Sequence, residues 1–97
     1  MKFAAIIEYA KDKEKIAVIR PQHRQYLAEL RDRGQVAASG PFTDDSGALI
    51  IYEASNAEEA ERFLKADPFN ANGIFLRYQL RPWNPVIANV ELFSHLT

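Results

Sequence analysis

Residues 2–9 alternate with a period of two and yet are apolar in both directions: Phe3, Ala5, Ile7 and Tyr9 point one way, Ala4 and Ile6 the other. A strand of that kind has to be covered on both faces. Residues 48–54 repeat the pattern, with Leu49, Ile50 and Ile51 apolar on both sides. Any fold for this chain must therefore bury a sheet twice over, once with its own helices and once with something else.

Two helical stretches supply the first cover. Ile16, Ile19, His23, Leu27 and Leu30 recur at helical spacing and form one inward stripe, with Arg24, Glu29, Arg31 and Asp32 on the other side. Helix one is expected to start near residue 13 and to kink or restart at Arg20 and Pro21, because proline suits a first helical turn and disturbs an interior one. Gly34 follows as the residue able to take a positive φ past its end. Residues 35–42 read as a second strand closed by Ser39, Gly40, Pro41 and Phe42. Residues 43–47 form a turn in which Gly47 is available for a positive φ, so residues 48–54 pair back as a hairpin.

Ser55 and Glu58 match a capping box for helix two, whose inner stripe is Ala57, Ala60 and Leu64 with Phe63 alongside. Residues 67–73, with Pro68 first and Gly73 last, make a single helical turn. In the fourth strand, residues 74–81, Ile74, Leu76, Tyr78 and Leu80 share one face and Phe75, Arg77, Gln79 and Arg81 the other. That polar face suits a sheet edge or a charged cavity wall. The order β-α-β-β-α-β is the split βαβ arrangement of ferredoxin-like α+β folds, a four-stranded antiparallel sheet with two helices on one face. The economical cover for the second face is the same face of another copy, giving a homodimer of the α+β barrel kind.

The 97 residues are 47% apolar, enough for one folded domain over residues 1–97, with a core at 2–83 and a tail at 84–97. The tail carries Val86, Ile87, Val90, Leu92, Phe93 and Leu96 and is expected to dock on its own subunit or across a dimer. A formal net charge of -1, with cations and anions interleaved, argues against nucleic acid. Glu8 cuts the first apolar run below signal-peptide length, no later run spans a bilayer, and cysteine is absent, so a cytoplasmic protein with no membrane partner is expected. No nucleotide, flavin or haem motif is present, no cofactor is expected, and two histidines at the separation of His23 and His95 make no metal-ligand spacing.

His23 is the candidate for chemistry. An inward histidine can be a core imidazole satisfied by a backbone carbonyl, or a general base kept neutral by the positive end of the helix dipole if a helix starts at Pro21. A base needs a carboxylate to fix its tautomer. Asp67 before Pro68 offers one and is equally an N-cap; Asp44 and Asp45 are the alternatives, though both suit a turn. Ser39 and the Gly40 backbone can donate to developing oxyanion charge, or together with Pro41 simply end a strand. Arg20, Arg77 or Arg81 can hold a substrate carboxylate, or be surface charges.

Arg20-Pro21 two residues before His23, the Gly34 bend, the Ser39-Gly40-Pro41 strand, the Gly47 turn, the Glu58-Glu59-Ala60 helix start and the Asp67-Pro68-Phe69 turn follow one another within this frame. As a set they resemble the YCII-related family, from about residue 2 to Trp83. The resemblance implies a ferredoxin-like dimer, similar in fold to muconolactone isomerases, with a site that pairs a histidine and an aspartate, here His23 and Asp67. It also implies removal of a proton next to a carbonyl, since a member type eliminates chloride from a chlorinated lactone. Three classes of function follow. One is a small-molecule isomerase, lyase or dehydrohalogenase, one a ligand-binding or sensing module using the same cavity, and one a scaffold whose cavity is filled.

Overall fold

The computed structural model describes residues 1–96; Thr97, at the end of the apolar tail, lies outside the described residues. The elements run β1 (Lys2–Tyr9), α1 (Lys13–Asp32), β2 (Val36–Pro41), β3 (Gly47–Glu53), α2 (Ala57–Lys65), α3 (Pro68–Ala71) and β4 (Phe75–Trp83), followed by a 3-10 turn at Val90–Phe93. The strands form one antiparallel sheet in the order β2-β3-β1-β4, a ferredoxin-like α+β fold with α3 as an added turn.

Residues directly opposite in an antiparallel ladder share a face, so the register assigns each side. Phe3, Ala5, Ile7 and Tyr9 lie opposite Tyr52, Ile50, Ala48 and, on β4, Phe75, and all are buried. They form one core with Ile16, Leu27 and Leu30 of α1, Ala60 and Leu64 of α2, and Phe69 of α3. The reverse side of the sheet carries Ala4, Ile6 and Glu8 across from Ile51, Leu49 and Gly47, and across from Arg81, Gln79 and Arg77. Ile6 and Leu49 are exposed there.

Four local expectations are corrected. Helix α1 runs unbroken from Lys13 with Pro21 inside it, and the Asp12 carboxylate caps it by accepting from the Lys15 N–H at 3.1 Å. In β4, Glu8 pairs with Arg77 and Tyr9 with Phe75, which leaves Leu76 as the extra residue of a bulge. The bulge exchanges the two sides at that point, so Phe75 is buried and Leu76 exposed, while Ile74, Tyr78 and Leu80 keep their inward placement. The cap of α2 is Asn56, not Ser55: its side chain accepts from the Glu59 N–H at 2.9 Å, and Glu59 accepts from the Ser55 N–H at 3.0 Å. That shift leaves Ala57 exposed.

The fourth correction concerns the β2–β3 turn. The positive φ there belongs to Asp45, at 59°. Gly47 serves contact instead, since a Cβ on it would lie 1.9 Å from the Ile7 carbonyl oxygen. Gly34 does take its expected positive φ, 75°.

Beyond Trp83 the chain leaves the sheet. Its apolar side chains make no core of their own, with exposures from 57% at Phe93 to 94% at Ile87, so residues 84–96 do not dock on their own subunit. Among the described residues no helix is long and apolar enough to cross a membrane.

Candidate active site

The stripe of α1 faces the sheet and brings His23 to within reach of the short turn that starts α3. Asp67 stands before that turn because Pro68, with its fixed φ, is the first helical residue and the extended backbone of Asp67 turns its carboxylate back over the free amides. One oxygen accepts from the Phe69 N–H at 2.8 Å. The same carboxylate meets the ring of His23, with Nδ1 at 2.7 Å from Oδ1 and 2.9 Å from Oδ2. Both residues are buried, His23 at 6% exposure and Asp67 at 0%. Capping and histidine contact thus coexist on one carboxylate, as its lone pairs permit.

An ionised carboxylate only accepts, so Nδ1 carries the hydrogen and a neutral ring is left with its lone pair on Nε2. The plane of that ring is held by packing. Phe69 stacks on it with centroids 3.9 Å apart and planes 4° from parallel, and Phe75 meets it edge-on at 6.3 Å. Because α1 starts at Lys13, His23 lies well inside the helix. The dipole of the helix N-terminus acts within the first turn only, so it does not hold the ring neutral, contrary to the expectation from Pro21.

The remaining candidates divide. Arg20, one turn before His23, gives a guanidinium N–H to both oxygens of Asp45, at 2.6 and 2.9 Å, tying α1 to the β2–β3 turn. Asp45 is therefore the partner of Arg20 and not of His23, and Asp44 accepts from the Ser46 N–H at 3.0 Å as a turn former. Hydrogen bonding from Ser46 also holds the Asp44 carboxyl below its usual range. Ser39, Gly40 and Pro41 lie exposed on the edge strand β2, and none is hydrogen-bonded to His23 or Asp67. The register turns Ser39 toward the helix side, opposite buried Ile50. Arg77 pairs with Glu8 at 3.5 Å and, with Arg81, occupies the open side of the sheet.

An open cleft of about 1070 Å³ runs beside these groups, bounded by Tyr9, Lys13 and Ile16, by the turn residues Phe42 and Asp45, and by Arg77 at its outer rim. His23 is not on its wall. Tyr9 stands between: it lines the cleft and packs edge-on, at 5.4 Å, against the Phe69 ring on which His23 stacks. Burial pushes its phenol up to about 12, with Arg20 pulling down and Asp45 and Asp67 pushing up. Tyr9 was legible in the sequence only as a core residue; its signal is that it alone of the inward set on β1 ends in a polar atom. Among the described residues, no three His, Asp or Glu side chains gather in a geometry that could hold a metal.

Comparison with known proteins agrees with this architecture. "Protein YciI" of Escherichia coli O6:H1 (strain CFT073) is 32% identical to the chain, over 80% of this chain and 94% of the relative, and the Shigella flexneri protein of the same name matches equally. Among solved structures, 5-chloro-2-hydroxyhydroquinone dehydrochlorinase (TftG) from Burkholderia phenoliruptrix AC1100, in complex with 2,5-dihydroxybenzoquinone, superposes with a TM-score of 0.76. It is 24% identical, and the match covers 87% of this chain and 94% of that one, which speaks for a shared fold. A family model for the YCII-related domain matches residues 1–84, and the chain belongs to that family.

Proposed function

We propose that the protein is a small-molecule enzyme of proton transfer, with His23 as general base and Asp67 as the residue that orients it. The observation that carries this reading is the buried contact of Nδ1 with both Asp67 oxygens, at 2.7 and 2.9 Å. Nε2 takes a proton from the carbon next to a carbonyl, and the Asp67 carboxylate stabilises the imidazolium that results. In an isomerisation the imidazolium returns the proton to a different carbon. In an elimination the electron pair of the broken C–H bond forms a C=C bond and expels the leaving group, as chloride in a dehydrochlorination. The structural neighbour is a dehydrochlorinase bound to a quinone, a carbonyl compound, which supports that reaction class here. Arg20 is suited to hold a substrate anion from the same helix face, with Ser39, Gly40 and Pro41 on the facing strand edge as further substrate contacts.

The working form is a homodimer formed through the open sheet face, which carries exposed Ile6 and Leu49. The absence of cysteine suits a cytoplasmic setting. A second reading, a binding module without chemistry, draws on the position of His23 behind Tyr9 rather than on the cleft wall.

Exchange of the α-hydrogen in D2O, followed by NMR across lactones, enol acids and hydroxyquinones, separates the two. Wild-type protein is expected to accelerate exchange or turnover of at least one compound, and His23→Gln to slow it by roughly 100-fold to 10,000-fold. Equal rates in wild type and His23→Gln, with ligand affinity retained, would establish the binding module instead.

A further inference from the structure

We infer that residues 84–96 are an arm that packs on a second copy of this chain and supplies much of the apolar contact holding the two together. The inference rests on the homodimer proposed above and adds to it a segment that begins where the family match ends, at residue 84. Val86, Ile87, Val90, Leu92, Phe93 and Leu96 are all exposed, although the segment has local order: the Asn89 side chain accepts from the Glu91 N–H at 3.2 Å and caps the 3-10 turn at Val90–Phe93. Six large apolar side chains exposed within residues 86–96 mark a contact segment, not a solvated linker.

The open sheet face by itself offers few apolar contacts. Its large exposed apolar side chains are Ile6, Leu49, the bulged Leu76 and Trp83, interrupted by Lys2, Glu8, Glu53, Arg77 and Arg81. Stable interfaces remove about 1,200–2,000 Å² of surface in total. At about 60–120 Å² for each aliphatic or aromatic side chain, two arms add roughly 700–1,400 Å², which brings the pair into that range.

Reach and charge name the occupant. The arm starts at Trp83, on the open side and at the end of an edge strand. With residues 90–93 in their 3-10 turn at about 2.0 Å per residue and the rest extended at about 3.3 Å, it reaches at most roughly 38 Å, comparable to the 37 Å long axis of the molecule. The arm contains Glu91 and no Lys or Arg, so it lacks the cations by which an amphipathic segment binds an anionic membrane surface. The sheet face it leaves from bears both signs of charge, as a self-complementary two-fold contact requires.

Full-length protein carrying benzoylphenylalanine in place of Phe93, prepared with light and heavy nitrogen and exchanged before irradiation, tests the contact directly. Mixed-isotope pairs are the expected product. Sedimentation equilibrium of the full-length Ile87→Asp/Phe93→Asp variant should show a dimer dissociation constant at least about 100-fold above wild type. Crosslinks confined to single chains, or an unchanged dissociation constant, would overturn the arm and leave the sheet-face dimer standing. A wild-type chain that sediments as a monomer at tens of micromolar would remove both.

Discussion

Asp67 carries two hydrogen bonds on one buried carboxylate, and its substitutions separate what each contributes. Asp67→Asn keeps at the Oδ1 position an oxygen that accepts from both the Phe69 N–H and the ring at Nδ1, but it loses the negative charge that stabilises the imidazolium. That variant should fold with a loss under about 1 kcal/mol and still lose roughly 100-fold to 10,000-fold in rate. Asp67→Ala removes the cap of the Phe69 N–H, worth about 0.5–2 kcal/mol, and separately leaves the buried Nδ1 of His23 without its partner, at about 1–3 kcal/mol. Urea unfolding should therefore rank it at least about 2 kcal/mol below wild type; equal stability of the two variants would contradict the double role. Tyr52 presents the converse case, a buried hydroxyl with no hydrogen-bond partner among the described residues. Tyr52→Phe should raise stability by about 1 kcal/mol, or about 4–8 °C in melting temperature. The pairing of His23 with Asp67 was legible because helical spacing puts the histidine inward and an acid before proline marks a helix start. The pairing of Arg20 with Asp45 was not, because it depends on how high the β2–β3 turn rises over α1.

At the level of elements, boundaries that follow from periodicity emerged within a residue or two, and those decided by tertiary contact did not. The strand β4 alternates correctly on either side of Leu76, but no local signal in Phe75-Leu76-Arg77 announces a bulge; it arises where Tyr9 and Phe75 must both enter the core. The cap of α2 moved by one residue because Asn56 and Glu59 satisfy the same geometry as the hydroxyl and acid beside them. Glycine chemistry shows the same division. Gly47 belongs to a turn by sequence, yet its requirement is the Ile7 carbonyl that a Cβ would strike at 1.9 Å. Gly47→Ala forces backbone movement between β1 and β3 and should cost about 3 kcal/mol or more. Gly40, on the edge strand with open space where its Cβ would stand, should accept alanine within about 0.5 kcal/mol. Thermal melts of the two variants side by side check the contrast, and similar losses in both would show that β2 is covered in solution.

Across the whole molecule, the layer between helices and sheet holds all four tyrosines, and each is harder to ionise than a free phenol. Tyr9 and Tyr26 are pushed up to about 12, chiefly by burial, with Asp67 adding to both. Tyr52 is pushed further by deeper burial, and Tyr78 is raised by burial and by its 3.0 Å hydrogen bond to Glu61. A phenol whose folded value lies above its unfolded value near 10 contributes stability that is complete below pH 10 and is lost as the pH climbs through the folded value. The fold should accordingly hold its stability up to about pH 10 and weaken toward pH 12, and the tyrosinate of Tyr9, Tyr26 and Tyr52 should belong to unfolded chain. An alkaline titration followed by absorbance near 295 nm and by far-ultraviolet circular dichroism checks this. The two signals are expected to change together above about pH 11, whereas the same chain in concentrated urea titrates near 10. Phenolate absorbance with a midpoint near 10 and unaltered dichroism would mean that water reaches the tyrosine layer freely, which is incompatible with the burial of His23 against Phe69 of α3.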